Sequence, residues 1–260
     1  MASYDFSAPR LFVDAALGAG LAHALDRSQH NYLINVLRLS EGEDVIVFNG
    51  RDGEWRAIVR LPSRKQAALE IAQQLRPQTP AADLDYLFAP LKHARLDYMV
   101  QKAVEMGAGR LRPVTTRRTQ VARVNLERMR ANAIEAAEQC GILSLPEIDE
   151  VAPLADVVAT WPSERTLVFC DEDAAQADPI AALAAVRGPV AILIGPEGGF
   201  DPAEREMLMA LPSVVRIGLG PRILRADTAA VAALTLVQAL AGDWRREPAD
   251  PESLRRITRR

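Results

Sequence analysis

From about residue 83 onward, short apolar segments alternate with longer segments whose apolar residues recur at helical spacing. The apolar segments span residues 85–89, 111–114, 166–170, 190–194 and 214–219. A helical stripe follows the first of them and consists of Leu96, Met99, Val100, Ala103 and Val104. Buried strands that alternate with helices are typical of α/β domains with a mostly parallel sheet. The sequence therefore predicts an α/β fold for residues 83–245.

The first 75 residues have a different pattern, rich in short strands. Residues 44–48 and 54–59 are strand-like, and the loop between them contains Gly50 and Gly53, which predicts a hairpin. Residues 67–72 form a further strand candidate, and Leu33, Val36 and Leu37 fall on one helical stripe. We predict a compact β-barrel in residues 1–75. Residues 76–82 contain two prolines and no periodicity, which predicts a linker.

Composition excludes several classes of protein. Of 260 residues, 49% are hydrophobic and 25% charged, which is typical of globular domains and not of disordered or collagen-like chains. The two cysteines, Cys140 and Cys170, are too few for a disulfide framework, so we expect reduced thiols in the cytoplasm. The three histidines lack metal-ligand spacing, and no apolar run approaches the ~18 residues of a membrane span. We therefore expect neither a metal nor a membrane partner.

The net charge of −3 conceals an uneven distribution of charge along the chain. Residues 1–130 are basic overall, residues 131–260 are acidic, and residues 110–130 hold seven arginines against one acid, Glu127. The planar guanidinium of arginine suits phosphate groups and base edges better than the point charge of lysine does. A solvated charged surface accounts for the arginines of the whole chain, whereas for residues 110–130 we favour contact with RNA.

A glycine-rich loop follows the apolar segment that ends at Ile194. The sequence of residues 194–204 is IGPEGGFDPAE, in which Asp201 can cap a helix, Pro202 suits its first position and Glu204 completes a capping box. Glycines allow main-chain N–H groups to approach a ligand closely, at the strand end where α/β sheets bind ligands. The alternative is a tight strand-to-helix turn without a ligand, and we favour the binding site.

The residues of this loop limit the choice of ligand. No Lys-Ser or Lys-Thr pair follows the glycines, which excludes a P-loop, and the spacing of Gly218 and Gly220 lacks the third glycine of a dinucleotide site. Glu197 would repel a pyrophosphate but not a nucleoside or a cation. S-adenosylmethionine, with its adenosine and its sulfonium, therefore fits the loop better than ATP or NAD does.

A second loop of the same kind spans residues 219–230, LGPRILRADTAA. It places Arg222 and Arg225 three residues apart, just before a helix that begins near Asp227 or Thr228. In a purely structural reading, Asp227 caps this helix and the arginines are solvated. Because both loops follow strands of one parallel sheet, we predict that they share a pocket.

Four segments together identify a resemblance to a known family. IGPEGGF and LGPRILRADTA, with HARLDYMVQKAVEMGAGRLRPV and NYLINVLRL upstream, resemble the RsmE-type 16S ribosomal RNA (uracil-N3) methyltransferases of the SPOUT superfamily. The resemblance implies an N-terminal PUA-like β-barrel and a C-terminal α/β domain with a deep trefoil knot. It also implies a homodimer that binds S-adenosylmethionine and methylates N3 of a uridine in the 16S rRNA of the small ribosomal subunit.

The same resemblance implies which residues bind the cofactor. They are Phe169, Cys170, Glu172, Ile194, Gly195, Gly198, Leu219, Gly220, Ile223, Leu224, Thr228 and Ala229. Within this set, main-chain groups at 194, 195, 219 and 224 are expected to hold the adenine. The chain departs from the family at Ala226 and Asp227, where the family more often has Thr-Glu, and this leaves the role of Asp227 open.

The chemistry of uracil N3 suggests roles for two further residues. N3 loses a proton and its negative charge spreads over two carbonyl oxygens, so we expect Arg225 to orient the base and stabilise that charge. Glu197 either accepts the proton or holds the loop or the cofactor, and both roles remain open. The residues expected to contact RNA phosphates are Arg10, Arg38, Arg112, Arg117, Arg118 and Arg123.

Two other functions compete with this prediction. One is a knotted methyltransferase that acts on another rRNA or tRNA base or on a ribose 2′-hydroxyl, although the third loop ILRADTA lacks the Asn- and Ser-rich pattern of ribose methylation. The other is a non-catalytic RNA-binding assembly factor, which would not need intact glycine loops.

Overall fold

The chain folds as two units, each built around its own sheet. The computed structural model describes residues 8–63, 66–174 and 178–245. One unit comprises Met1–Pro80 and Ala137–Leu145, and the other comprises Ala81–Ala136 and Pro146–Arg260. The sequence predicts two continuous domains and therefore does not predict that residues 137–145 belong to the first unit. The segment 137–145 joins the first unit through contacts distant in sequence, which no local pattern encodes.

The first unit contains a five-stranded sheet. Its strands are β1 (Arg10–Phe12), β2 (Ala22–Ala24), β3 (Asp44–Phe48), β4 (Glu54–Ser63) and β5 (Gln66–Arg76). Their order is β1-β3-β4-β5-β2, in which β1 and β3 are parallel and the other pairs antiparallel. The pairing of β3 with β4 confirms the predicted hairpin, and Gly50 and Gly53 in its loop have φ of +82° and +83°. Glycine adopts this left-handed backbone without steric cost.

A buried ion-pair network holds the segment 137–145 in the first unit. The Glu54 carboxylate accepts from Arg10 Nε at 2.8 Å and from Arg76 Nε at 2.6 Å. Both arginines also donate to main-chain carbonyls of that segment, including Ile142 O at 2.7 Å from Arg10 Nη2. Burial alone would raise the pKa of Glu54, but the hydrogen bonds from Arg76 and Arg10 outweigh it, and the pKa is lowered. Glu54 is therefore a charged residue in the interior.

The predicted helical stripe of the first unit is correct only in part. Helix α1 (Arg27–His30) continues as a π-helix over Asn31–Val36. Leu33 is fully buried, but Val36 is 60% exposed and Leu37 is 37% exposed, so the prediction is wrong for these two. The wider winding is the reason, since the N–H of Leu37 binds the carbonyl five residues before it at 2.9 Å. In this wider helix, residues spaced for a period of 3.6 residues per turn no longer lie on the same face.

The second unit contains a parallel sheet covered by helices. Its strands are β6 (Leu84–Phe88), β7 (Arg110–Thr115), β8 (Glu147–Ile148), β9 (Ala152–Pro153), β10 (Thr166–Cys170), β11 (Val190–Ile194) and β12 (Val214–Ile217). The order is β12-β10-β11-β6-β7-β8, with β9 paired to β7, and every pair is parallel. The five predicted strands of this region are confirmed, and β8 and β9 are too short for a sequence pattern to reveal them.

The helices of this unit follow the predicted alternation. They are α2 (His93–Glu105), α3 (Leu126–Cys140), α4 (Leu154–Ala159), α5 (Pro179–Ala184), α6 (Pro202–Met209) and α7 (Ala226–Leu240), of which α3 ends in the segment assigned to the first unit. The predicted cap of α3 is confirmed, since the Asn125 side chain accepts the Arg128 N–H at 3.0 Å. Gly107 follows the end of α2 with φ of +81°, as the predicted stop requires.

Candidate functional site

A cavity of about 550 Å³ lies at the carboxyl ends of β10, β11 and β12. It is lined by residues 170–172, 194–199 and 219–226, with Arg95 and Ala229. The two loops that the sequence predicts to share a pocket thus line one cavity. The carboxyl ends of parallel strands are where open α/β sheets bind ligands, and the volume is typical of a small-molecule site.

The glycine loop is shaped by packing on one side and by helix capping on the other. A Cβ at Gly195 would lie 2.4 Å from the ring of Phe200, a fully buried residue. Only glycine therefore allows β11 to end against this ring. Asp201 accepts the N–H of Ala203 at 3.0 Å, and Glu204 accepts the N–H of Asp201 at 2.9 Å, which confirms the predicted capping box.

The third loop presents an apolar side chain and two arginines. Gly220 turns the chain with φ of +94°, and Ile223 is 94% exposed. Arg222 and Arg225 are also exposed, and Arg225 occupies the N-cap position of α7 without a capping hydrogen bond from its side chain. Asp227 does not cap the helix as the purely structural reading requires, because its carboxylate lies inside the first turn and accepts the N–H of the next residue at 2.9 Å.

Helix α2 brings a further arginine to the cavity. The guanidinium of Arg95 donates a hydrogen bond to the Glu197 carboxylate, and both side chains are partly exposed. This ion pair joins the first turn of α2 to the glycine loop. Glu197 is therefore held beside the cavity in a charged hydrogen-bonded arrangement.

One cavity residue is unsuited to covalent catalysis. The pKa of Cys170 is raised to about 12, mainly by burial and to a smaller extent by the nearby charge of Asp171. The thiolate is the nucleophilic form of cysteine, and at neutral pH Cys170 is a neutral thiol. Cys170 therefore contributes packing to the cavity wall and not a nucleophile.

Most residues predicted to bind a cofactor line the cavity. They are Cys170, Glu172, Ile194, Gly195, Gly198, Leu219, Gly220, Ile223, Leu224 and Ala229. Phe169 does not line it, because it is fully buried and packs edge-on against Phe200 with 5.0 Å between the ring centroids. Thr228 is exposed on α7 outside the lining. Arg225 and Glu197, the two predicted catalytic residues, both line the cavity.

Two arginines predicted to contact RNA belong instead to internal ion-pair networks. The Arg10 side chain is 3% exposed, binds Glu54 and lies 3.8 Å from the centroid of the Phe48 ring. Arg112 pairs with Asp85 at 3.3 Å and with Asp149 at 3.1 Å. All three guanidinium nitrogens of Arg10 and two of those of Arg112 donate within the protein, so the structure argues against phosphate contact by either residue. The sequence could not reveal this, because their partners lie tens of residues away.

The other predicted RNA contacts are exposed, and two of them adjoin the glycine loop. The Arg117 N–H donates to Glu204 at 2.8 Å, and its side chain lies 3.1 Å from Asp201. Arg118 donates to the carbonyl of Gly198 at 2.8 Å. The segment after β7 therefore packs directly on the loop that borders the cavity. Two more exposed arginines are Arg38, with φ of +59°, and Arg123.

Arg95 lines the cavity although it lies outside the loops that the sequence predicts to bind a cofactor, whereas Asp171 lies within the predicted loop 169–172. Arg95 lies in the helix after β6, which pairs with β11, so its proximity to the glycine loop depends on strand order. That order is not encoded in any local pattern.

Across residues 8–63, 66–174 and 178–245, no cluster of three or more His, Cys, Asp or Glu side chains could hold a metal ion. Within those ranges, the helices are too short or too polar to cross a membrane.

Comparisons with known proteins give consistent results for both units. Residues 77–238 match the family model of the RNA methyltransferase domain, and residues 25–72 match that of the RNA methyltransferase PUA domain. The ribosomal RNA small subunit methyltransferase E of Rickettsia conorii is 28% identical over 234 residues, 89% of this chain and 95% of that protein. The protein of the same name from Bacillus subtilis is 27% identical over 230 residues, 82% of this chain and 90% of that protein.

A solved structure extends the comparison to three dimensions. The crystal structure of a ribosomal RNA small subunit methyltransferase E from Neisseria gonorrhoeae, bound to S-adenosyl methionine, has a TM-score of 0.80 and is 26% identical. The similarity covers 91% of this chain and 99% of that chain.

Proposed function

Because this chain belongs to the RNA methyltransferase family, we propose that it methylates N3 of a uridine in the 16S rRNA of the small ribosomal subunit, with S-adenosylmethionine as methyl donor. The observation that carries the proposal is the cavity at the ends of β10, β11 and β12, where acidic and arginine side chains face one space. The relatives named as small-subunit rRNA methyltransferases support the substrate.

The cavity residues fit S-adenosylmethionine in size and in charge. The volume of about 550 Å³ suits a nucleoside with an amino-acid tail, and the carboxylates of Glu172 and Glu197 in the wall can face a cationic sulfur. Main-chain groups of Ile194, Gly195, Leu219 and Leu224 would hold the adenine. When bound, the cofactor supplies an electrophilic methyl group on a positively charged sulfur.

The protein contributes orientation and charge to the transfer. Uracil N3 must lose its proton, and the resulting charge spreads over the two carbonyl oxygens of the base. Arg225, exposed at the cavity, orients the base and stabilises this charge through the donors of its planar guanidinium. Glu197 is the proton acceptor in this proposal, held in position by its hydrogen bond from Arg95. A role of Glu197 in holding the loop is the alternative that kinetics can separate.

The RNA surface comprises the exposed arginines. Arg117, Arg118 and Arg123 follow β7, the first two beside the glycine loop, and Arg38 is an exposed arginine of the first unit. Guanidinium groups at such positions bind phosphates and fix the register of the RNA. Because a base in a stacked helix cannot reach a cavity, the target uridine is extruded into it.

The finer architecture is also part of the proposal. Residues 1–75 form a PUA-like RNA-binding barrel, residues 76–82 a linker, and residues 83–245 a SPOUT methyltransferase domain with a C-terminal trefoil knot. The family match to a PUA domain and the TM-score of 0.80 to the solved relative support this assignment. The protein acts as a homodimer in the cytoplasm, and sedimentation of the purified chain tests the dimer.

One assay tests the proposed reaction. Labelled methyl groups from S-adenosylmethionine are offered to small ribosomal subunits and to transfer RNA, and the product nucleoside is identified after digestion. N3-methyluridine from the small subunit alone is the expected result. Methylated ribose, label in transfer RNA, or no transfer despite cofactor binding would each contradict the proposal.

A further inference from the structure

Three consecutive acids follow β10 and surround a single guanidinium. Arg205 of α6 places Nε 3.1 Å from Asp171 Oδ1 and Nη1 3.0 Å from Asp173 Oδ2. Its Nη2 donates to Glu172 Oε1, and its side chain is largely buried. Three like charges in one turn repel one another, so a cation at their centre is needed to keep the turn compact. Arg205 therefore sets the conformation of residues 171–173.

The turn keeps an excess of negative charge at the cavity. Asp171 has a side chain that is 1% exposed, and Arg216 Nη2 approaches its Oδ2 at 2.7 Å. The three acids thus face two arginines, Arg205 and Arg216, which leaves one negative charge uncompensated among these five groups. Of these groups Asp171 and Glu172 line the cavity, and Glu172, whose side chain is 41% exposed, is the carboxylate that a ligand there can contact.

Glu172 is held from a second direction by the glycine loop. Gly199 has φ of +68°, and a Cβ built on it would lie 2.1 Å from Glu172 Oε1. The carboxylate therefore occupies the space that a side chain at 199 would take. Arg205 on one side and the bare backbone on the other leave Glu172 little freedom at the cavity wall.

We propose that Arg205 is a positioning residue that holds Glu172 at the cavity, so that the site prefers a positively charged ligand to a neutral one. The inference rests on the proposed function, in which the methyl donor carries a cationic sulfur. The product, S-adenosylhomocysteine, has the same skeleton with a neutral sulfur. Discrimination between donor and product therefore depends on the position of the Glu172 carboxylate and not only on the net charge of the wall.

Calorimetric titration with S-adenosylmethionine and S-adenosylhomocysteine tests the inference through the ratio of the two affinities. Glu172→Gln is expected to reduce the preference for the cationic ligand about fivefold, as expected for loss of one partly exposed charge interaction. Arg205→Lys keeps the charge but replaces the planar fork by a point charge that fixes the direction of Glu172 less well, and we expect it to reduce the preference by about threefold. The double variant is expected to lose no more than Glu172→Gln alone, because both changes remove one interaction.

A matched control is Arg187→Lys, in which the altered side chain binds main-chain carbonyls at the end of α5 and does not line the cavity. Its affinity ratio should equal that of the wild type. An unchanged ratio in Arg205→Lys would overturn the inference, as would equal losses for both ligands, which would mean a structural role only. If the wild type binds neither ligand, the proposed function fails and this inference fails with it.

Discussion

The guanidinium of Arg95 in α2 donates a hydrogen bond to the carboxylate of Glu197 in the loop after β11. The two residues are separated by 102 positions in the chain and meet because β6 and β11 are adjacent parallel strands. A charge-assisted hydrogen bond is directional as well as strong. The pair therefore fixes the direction of the Glu197 carboxylate at the cavity.

Removal of the Glu197 carboxylate tests its role as proton acceptor. Glu197→Gln keeps the shape and a hydrogen-bond acceptor for Arg95 but removes the basic group, so kcat should fall about 100-fold. The Kd of S-adenosylmethionine should change less than threefold. A weaker Kd with unchanged kcat would instead assign Glu197 to holding the loop.

Arg95 is expected to affect the reaction through Glu197. Arg95→Gln should lower kcat about tenfold, and the same change in a Glu197→Gln background should have little further effect, because the two side chains act as one unit. Single-turnover methyl transfer with both variants measures this coupling. Additive losses would show that Arg95 acts independently of Glu197.

Arg225 is expected to contribute most to stabilising the charge on uracil. Arg225→Ala should lower kcat/KM by about 100-fold, the range typical of losing one preorganised donor to a developing anion. Cofactor affinity should stay within threefold of wild type, and Arg225→Lys should recover part of the activity. Wild-type turnover in Arg225→Ala on small ribosomal subunits would refute this role.

Two glycines of the same loop should differ in their tolerance of a methyl group. Gly195→Ala forces a Cβ within 2.4 Å of the buried Phe200 ring, and overpacking of this kind costs about 1–3 kcal/mol. The Tm should therefore fall by about 3–10 °C. Gly198→Ala is the matched control for stability, because its Cβ would contact Arg118 at an ordinary 3.5 Å and the Tm should be kept. Equal melting temperatures for the two variants would contradict the packing argument.

The exposed arginines beside the glycine loop should give RNA binding its dependence on salt. The double variant Arg117→Ala/Arg118→Ala is expected to reduce the slope of log affinity against log salt by about 1.5, if each arginine neutralises one phosphate. Filter binding of small-subunit RNA over a salt series measures the slope, with Arg187→Ala as control. A slope equal to that of the wild type would exclude both residues from the RNA surface.

Stability in acid should depend on Glu54. Burial acts to raise the pKa of this carboxyl, the hydrogen bonds from Arg76 and Arg10 act more strongly in the opposite direction, and the net pKa is lowered. The stabilisation is therefore fully present above the ordinary pKa of glutamate and is lost as the pH falls through the lowered value. Urea unfolding at pH 7 should show Glu54→Gln destabilised by about 3 kcal/mol, because Arg10 would keep its burial without a charged partner. The difference between variant and wild type should shrink at acid pH, and a difference independent of pH would contradict the assignment.

Local sequence patterns predict much of the second unit. The five main strands, the capping residues Asn125 and Asp201, and the meeting of the two loops at one cavity all follow from residue pattern and strand direction. Each of these features depends on residues within a few positions of one another, or on the general rule that parallel strands end at one edge.

The features that escape prediction depend on contacts distant in sequence. The burial of Arg10 requires Glu54 and the segment 137–145, and the place of Arg95 requires the adjacency of β6 and β11. The exposure of Val36 has another cause, the π-helical winding, which a period of 3.6 residues cannot anticipate. Arginine composition alone cannot separate a buried ion pair from an RNA contact.

The Glu204 side chain has a consequence for how this protein can evolve. One of its oxygens accepts the N–H of Asp201 at 2.9 Å and the other accepts the N–H of Arg117 at 2.8 Å. A single residue thus anchors the start of α6 and the arginine segment after β7. A change to aspartate would shorten the side chain and displace both the start of α6 and the arginine segment. We therefore expect glutamate to be retained at position 204 among relatives, even though its side chain does not line the cavity.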